Sequence, residues 1–402
     1  MKECSGLTTK RGILTLVLGL CVVLLGACGH TPNFRGHGRG KKPPRIRMSC
    51  YATSTVGTTY ADPERLGPHS YKSSKAEKTG IIYTCKGGHI DIAHLRKGAD
   101  WTAFLAERTL EQLKNNKAKF SFKLYEPSKY YVQVTYPENW RSLPDDERDE
   151  IARDISIKLG QYFSFVGCTW HEIVTWFGYR PFVLYPEFAS SFSWEDTYSN
   201  LLGVYVAAIA LRDTDREYDE AMTVALFREL DSLGPQPRKV GIRAAEKMRG
   251  KWFSGDFLFL INMKGRNLDI GLGDGLVTPW LVPSLDECRA AQPKDYPAPN
   301  LDFLGDYGFS VKLEISPRIV EKGKILKIAY PDSKKRGKRI EPAVHFATIM
   351  DYIERDAEKR FGSDVGPGHT NSEIESEPNV DGADEDANAG DSAVVSRAGH
   401  TK

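Results

Sequence analysis

The segment Trp170-His171-Glu172-Ile173-Val174-Thr175-Trp176 opens like a zinc-hydrolase helix, in which two histidines one turn apart bind the metal and the glutamate polarises its water. Thr175 stands where the second histidine is needed and cannot replace a neutral imidazole as a ligand. A complete site must borrow donors from elsewhere, because catalytic zinc takes about three protein ligands and keeps one position open. His94, in Gly88-His89-Ile90-Asp91-Ile92-Ala93-His94, and Glu195, in Ser193-Trp194-Glu195-Asp196, can supply them. The expectation is zinc on His94, His171 and Glu195, with Glu172 as general base and Asp91 and Asp100 as the carboxylates that orient an imidazole. The competing reading makes His94 and His171 core histidines hydrogen-bonded to carboxylates. Nucleophilic chemistry is less well supported: Cys168 lies three residues before His171 without a local signature, and Ser190-Ser191 lacks a glycine elbow. Gly271-Leu272-Gly273-Asp274-Gly275 falls between two expected strands, whereas a phosphate cradle needs a helix to start there.

These residues must be held by a scaffold whose periodicity is readable. Residues 94–114 predict a helix, and Tyr130, Val132, Val134 and Tyr136 alternate as a strand whose Tyr131, Gln133 and Thr135 face the other way. Pro144 followed by acids opens a helix with Ile151, Ile155 and Leu159 on one stripe, and further helices are expected over 168–178, 194–211 and 216–233. Ser193 and Asp196 can form a capping box at the start of the 194–211 helix, which gives Asp196 a structural role. Trp194, Tyr198, Leu201, Tyr205 and Ile209 make its buried stripe, with Glu195 at the margin. Gly234-Pro235 ends the 216–233 helix, and a basic helix follows near 238–249. Strands are expected over 257–263, 276–282, 309–315 and 325–330, then a turn through Lys334, Lys335, Arg336, Lys338 and Arg339, and a closing helix with Phe346, Ile349, Met350 and Ile353 inward. The fold class is α+β: one globular domain over 49–362, helix-rich in the middle with antiparallel strands on either side.

The ends are different in kind. Lys2, Lys10 and Arg11 precede the apolar run Ile13 to Leu25, which is shorter than the about 20 residues needed to span a bilayer and is followed by small residues, as in a secretory signal. Leu25-Gly26-Ala27-Cys28 resembles the bacterial lipobox, which implies cleavage of residues 1–27 and lipidation of Cys28. Residues 28–48 read as a basic flexible tether, with Arg35, Arg39, Lys41, Lys42, Arg45 and Arg47 and no acid between Arg35 and Met48. Residues 363–402 are acidic, poor in large apolar side chains and expected to be disordered.

Without the signal, basic and acidic residues balance at 52 each, which argues against nucleic acid as a partner. Export permits disulfides among Cys50, Cys85, Cys168 and Cys288, which allow three complete pairings; Cys50 with Cys85 is the favoured pair, and buried free thiols are the alternative.

The segments 88–94, Ala99-Asp100-Trp101, 170–179 and Phe192-Ser193-Trp194-Glu195-Asp196-Thr197-Tyr198-Ser199-Asn200-Leu201-Leu202-Gly203 together resemble an uncharacterised family of bacterial exported proteins, the domain of unknown function 4056. The resemblance covers most of residues 50–355 and implies an envelope lipoprotein without assigning a reaction.

The functional expectation is a lipid-anchored envelope protein, with the outer membrane favoured because Gly29 rather than an acid follows Cys28, acting as a zinc-dependent hydrolase on an envelope component. The alternative is a non-catalytic structural or binding lipoprotein, and a third reading is a ligand pocket built from Trp170, Trp176, Phe177 and Trp194. An enzyme gathers His94, His171, Glu172 and Glu195 around one pocket; a scaffold disperses them.

Overall fold

The computed structural model describes residues 43–362, except residues 73, 181–189, 258–259, 333 and 335. The chain divides into two units, Met1–Gly368 and His369–Lys402. The expected signal 1–27, Cys28, residues 28–42 of the tether and the tail 363–402 lie outside the described residues. Among the described residues no helix is long and apolar enough to cross a membrane.

The fold is mixed α+β. A hairpin of β1 (Ile81–Thr84) and β2 (Gly88–Asp91) runs directly into α1 (Ile92–Lys114). The chain then forms β3 (Lys119–Phe122), β4 (Lys129–Thr135), α2 (Asp145–Trp176), α3 (Asp196–Arg212), α4 (Tyr218–Leu233) and α5 (Arg238–Lys247). Short pairs follow: β5 (Phe253–Ser254) with β6 (Asn262–Met263), and β7 (Leu276–Val277) with β8 (Tyr296–Pro297). Last come β9 (Ser310–Ser316), α6 (Lys322–Ala329) and α7 (Pro342–Phe361).

The helical layer is built on α1, which packs against both α2 and α3. Close approach of α1 and α3 depends on glycine: a Cβ on Gly98 would sit 2.6 Å from the Asn200 carbonyl, and one on Gly203 would collide with that of Leu95. Antiparallel strands from distant parts of the chain join beside these helices, β4 lying between β3 and β9 with Val132 opposite Leu313 and Tyr130 opposite Ile315. Tyr130, Val132 and Val134 point to the core as their alternation requires. A second, smaller core gathers Trp194, Trp252, Phe253, Met263 and Trp280.

Several local expectations are corrected. The two helices expected at 144 onward and 168–178 are one 32-residue helix, α2, whose central apolar residues leave no break. Residues 325–330 are helical, not extended: Ile325 and Ala329, four apart, form the buried face of α6 against α7. The 257–263 and 276–282 strands shrink to two residues each, and Phe257 and Leu260 are exposed. Helix α3 is buried on nearly every side, so its edge is not solvent: Glu195 is 1 % exposed, whereas Ile209, placed on the buried stripe, is 46 % exposed.

The disulfide joins Cys85 to Cys288, not Cys50 to Cys85; among the described residues Cys50 and Cys168 are free. It ties the β1–β2 turn to the segment before β8 across 203 residues, a closure of the kind that stabilises by about 2–5 kcal/mol.

Residues 43–48 also depart from the tether expected over 28–48. Arg47 is buried, its Nη1 2.5 Å from Asp100 Oδ2 and its Nε 2.9 Å from Glu77 Oε1, and Arg45 pairs with Glu77 as well. Arg96 Nη1 closes the network at 2.9 Å from Glu77 Oε2. Burial works against ionisation of Glu77, but the Arg47 and Arg96 guanidiniums overcome it and push its carboxyl down to about 2. The local run is basic because its acids arrive from α1 and the loop before β1.

Candidate active site

One cavity of about 480 Å³ opens beside α1 and α2, a size suited to a small-molecule site. His94 and Lys97 come to it from the first turns of α1, His171 and Glu172 from the last turns of α2, and Asp196 from the start of α3. Residues 43–51 form another wall, and Trp101, Leu124, Tyr125 and Tyr179 add apolar surface.

His94 is the charged centre. Its Nδ1 lies 3.0 Å from Asp91 Oδ2 and 2.9 Å from Asp196 Oδ1. Burial and the nearby Lys97 ammonium oppose a charge on the ring, yet the two carboxylates outweigh them and hold its pKa up at about 10. His94 is therefore an imidazolium at neutral pH. Asp91 is well suited to this role: it caps α1, accepting from the Ala93 and His94 amides at 2.7 and 3.4 Å with Oδ1, which leaves Oδ2 for the imidazole and for the Ser49 hydroxyl. Asp196 likewise does two jobs. Its Oδ2 accepts from Ser193 N and Oγ at 3.1 and 2.7 Å, while Oδ1 faces His94. The return half of the capping box forms as expected; the carboxylate's second oxygen belongs to the site.

Glu172 is the opposite case. It is 5 % exposed, and burial, reinforced by the Asp196 carboxylate, pushes its carboxyl up to about 7 against the pull of Lys97 and His94. Oε2 accepts from the Phe192 amide at 3.0 Å. Phe192 takes φ 54°, a left-handed conformation that strains a residue other than glycine, and the strain is held by a second bond from Asn267 N to its carbonyl at 2.9 Å. His171 is neutral: burial, then the charges on Lys97 and His94, lower its pKa far below the ordinary value. Its ring meets Tyr125 edge-on at 4.5 Å between centroids, and Nδ1 is buried without a hydrogen-bond partner.

Glu195 does not join this cavity. Its Oε1 accepts from the Ala52 amide at 2.9 Å and its Oε2 is buried without a hydrogen-bond partner, so that burial, helped by Asp196, drives its carboxyl up to about 8. The sign of the linkage follows. The folded chain keeps this proton where the unfolded chain has lost it, so stability is full below the ordinary carboxyl value and declines as pH rises towards 8. Glu195→Gln keeps the acceptor for Ala52 and removes the ionisation. Between pH 5 and 8 its Tm should fall less than the parent's; equal slopes in a thermal scan series would contradict a buried, proton-holding Glu195.

Asp100 does orient an imidazole, but that of His69, whose Nε2 is 2.9 Å from Oδ1, while Oδ2 takes Arg47. Among the described residues no group of three or more His, Cys, Asp or Glu side chains is arranged to hold a metal. The expected zinc set is not gathered at this cavity: His94 and His171 line it, whereas Glu195 does not and gives its Oε1 to the Ala52 amide. Trp170, Trp176, Phe177 and Trp194, the residues of the expected aromatic pocket, do not line this cavity. Trp170 donates to Ser128 Oγ, Trp176 to Asp356 Oδ2, and Trp194 packs on Trp252, all in the core and none at the cavity. His89, neighbour of this sequence cluster, is a core histidine, its pKa lowered by burial to about 4.

Sequence reasoning missed Asp196, Lys97, Tyr125 and residues 43–51 as parts of the site. The spacing of Asp196 from Ser193 was legible, but its free oxygen was not.

The family model described as "Protein of unknown function (DUF4056)" matches residues 51–257, just over half of the chain. No curated protein and no solved structure matches.

Proposed function

This chain belongs to the DUF4056 family, a membership that brings no reaction with it, and from the cavity we propose that it is a hydrolase using a metal-free acid–base site on an envelope component. The observation that carries the reading is Glu172, a carboxyl whose pKa sits near 7 in a cavity it shares with an imidazolium and a neutral imidazole. General bases work best with a pKa close to the operating pH. Ionised Glu172 takes a proton from water, and the water oxygen bonds to an electrophilic carbonyl carbon. Negative charge gathers on the carbonyl oxygen, which the His94 imidazolium is suited to stabilise in a site of low polarity. The bond from that carbon to the leaving group then breaks, and Glu172 returns the proton to the departing oxygen or nitrogen. Asp91 and Asp196 act through His94 by keeping it charged and fixed. The zinc-dependent form of the reaction is not part of this reading, since the expected donors are not gathered at the cavity.

The location proposed is the bacterial envelope, with acylated Cys28 as the anchor and the outer membrane as its side. The support is the sequence from Lys2 to Gly29. Mass analysis of the amino terminus of membrane-extracted protein should find cysteine 28 first and carrying acyl chains; an intact Met1 on unacylated protein overturns this placement.

Activity is tested on the purified full chain with chromogenic ester and amide substrates, with Glu172→Gln as the control treated in the Discussion. Dependence of turnover on Glu172 supports the acid–base reading, and its absence rejects it.

A further inference from the structure

The cavity sets buried carboxyl groups and solvent-facing apolar side chains in one lining. Two of its carboxyl groups are deep: Glu172 and Asp196 are 5 % and 2 % exposed. Two of its apolar side chains stand at the surface: Ile46 and Met48 also line it and are 78 % and 76 % exposed. Between them, Arg47 turns inward to Glu77 and Asp100, so the stretch buries this charge and shows solvent its two large apolar side chains. Folding alone gives no reason for that inversion, because buried ion pairs are costly to desolvate and exposed apolar surface gains nothing. Trp101, Leu124 and Tyr125 add further apolar wall, with the Tyr125 ring under the Lys97 ammonium at 5.3 Å.

We propose that the cavity takes the ester or amide of a long, unbranched acyl chain, with the carbonyl at the His94–His171–Glu172 floor and the chain leaving between the walls past Ile46 and Met48. The inference rests on the hydrolytic reading for its chemistry and adds the substrate class. The ligand is complementary at both ends. Its one polar group meets the buried polar floor, and its tail covers apolar side chains otherwise left in water. Hydrolysis forms the bond from water oxygen to the acyl carbon and breaks the one to the leaving oxygen or nitrogen. The products are a fatty acid and an alcohol or amine, with water the sole co-reactant.

The test uses the full chain and 4-nitrophenyl esters from acetate to decanoate, below their aggregation limits. The expected result is kcat/KM rising at least tenfold from the shortest to the longest chain, with the ratio collapsing in Ile46→Ser/Met48→Ser. A second measurement titrates a fluorescent long-chain fatty acid onto Glu172→Gln protein, with and without the two rim substitutions. Glu172-dependent hydrolysis indifferent to chain length overturns the acyl site and leaves the hydrolytic reading standing. Saturable fatty-acid binding weakened by the rim substitutions, without any Glu172-dependent turnover, supports the acyl site and rejects the hydrolysis. Loss of both signals removes both.

Discussion

Glu172→Gln should lower kcat/KM for a hydrolysable ester by roughly 10²–10⁴-fold, the range for removing a positioned general base. The substitution is nearly isosteric and retains an oxygen for the Phe192 amide, so the local structure should persist. Stability should not fall with it. Glu172 has a folded-state pKa above that of an exposed carboxyl, so its contribution is full below about 4.5, is lost as pH climbs to about 7, and does not change above that. At pH 8 the Gln variant should melt no lower than the parent.

The parent's pH profile supplies an independent check. Activity should rise through about 7 as Glu172 ionises and fall through about 10 as His94 loses its proton. Weakening the ring's ion pairs with Asp196→Asn should bring the alkaline limb down while leaving a rising limb in place. An active Gln variant, or a profile flat from pH 5 to 9, would remove Glu172 from the chemistry.

Asp100→Ala should cost about 3–5 kcal/mol of folding stability, because it strips one partner from a buried ion pair and strands the other. Asp100 is fully buried and receives Arg47 at 2.5 Å, His69 at 2.9 Å and the Tyr218 hydroxyl at 3.4 Å. Arg47 would retain Glu77, which moderates the loss. Asp100→Asn keeps an acceptor for His69 and Tyr218 and should cost less than Asp100→Ala. Urea denaturation separates the three proteins by their midpoints. The same substitution should also loosen residues 43–51, the wall that Arg47 pins, making them more readily cut in limited proteolysis. A loss below about 1 kcal/mol, typical of an exposed pair, would show that water screens this network.

The legible parts of the fold are those decided over one or two turns of chain. The Asp91 cap, the Ser193–Asp196 return bond, the left-handed Gly234 that ends α4 and the alternation of β4 all follow from neighbours a few residues apart. So does the sharing of one helix end by His171 and Glu172. The 325–330 segment shows the limit of this reasoning. Its apolar residues satisfy an alternating and a helical reading alike, and only packing against α7 chooses the helix.

Local chemistry thus determined that the chain is mixed α+β, that His94 and His171 lie on helices and that carboxylates accompany both. It also set the acidic composition of residues 363–402. Tertiary structure decided which carboxylate serves which cation. Asp196 reaches His94 across about a hundred residues, Asp100 is taken by Arg47 and His69, and Glu195 is drawn off to Ala52. The reason is that burial and three-dimensional neighbours together set whether each of these groups is charged, and neither is a property of spacing along the chain.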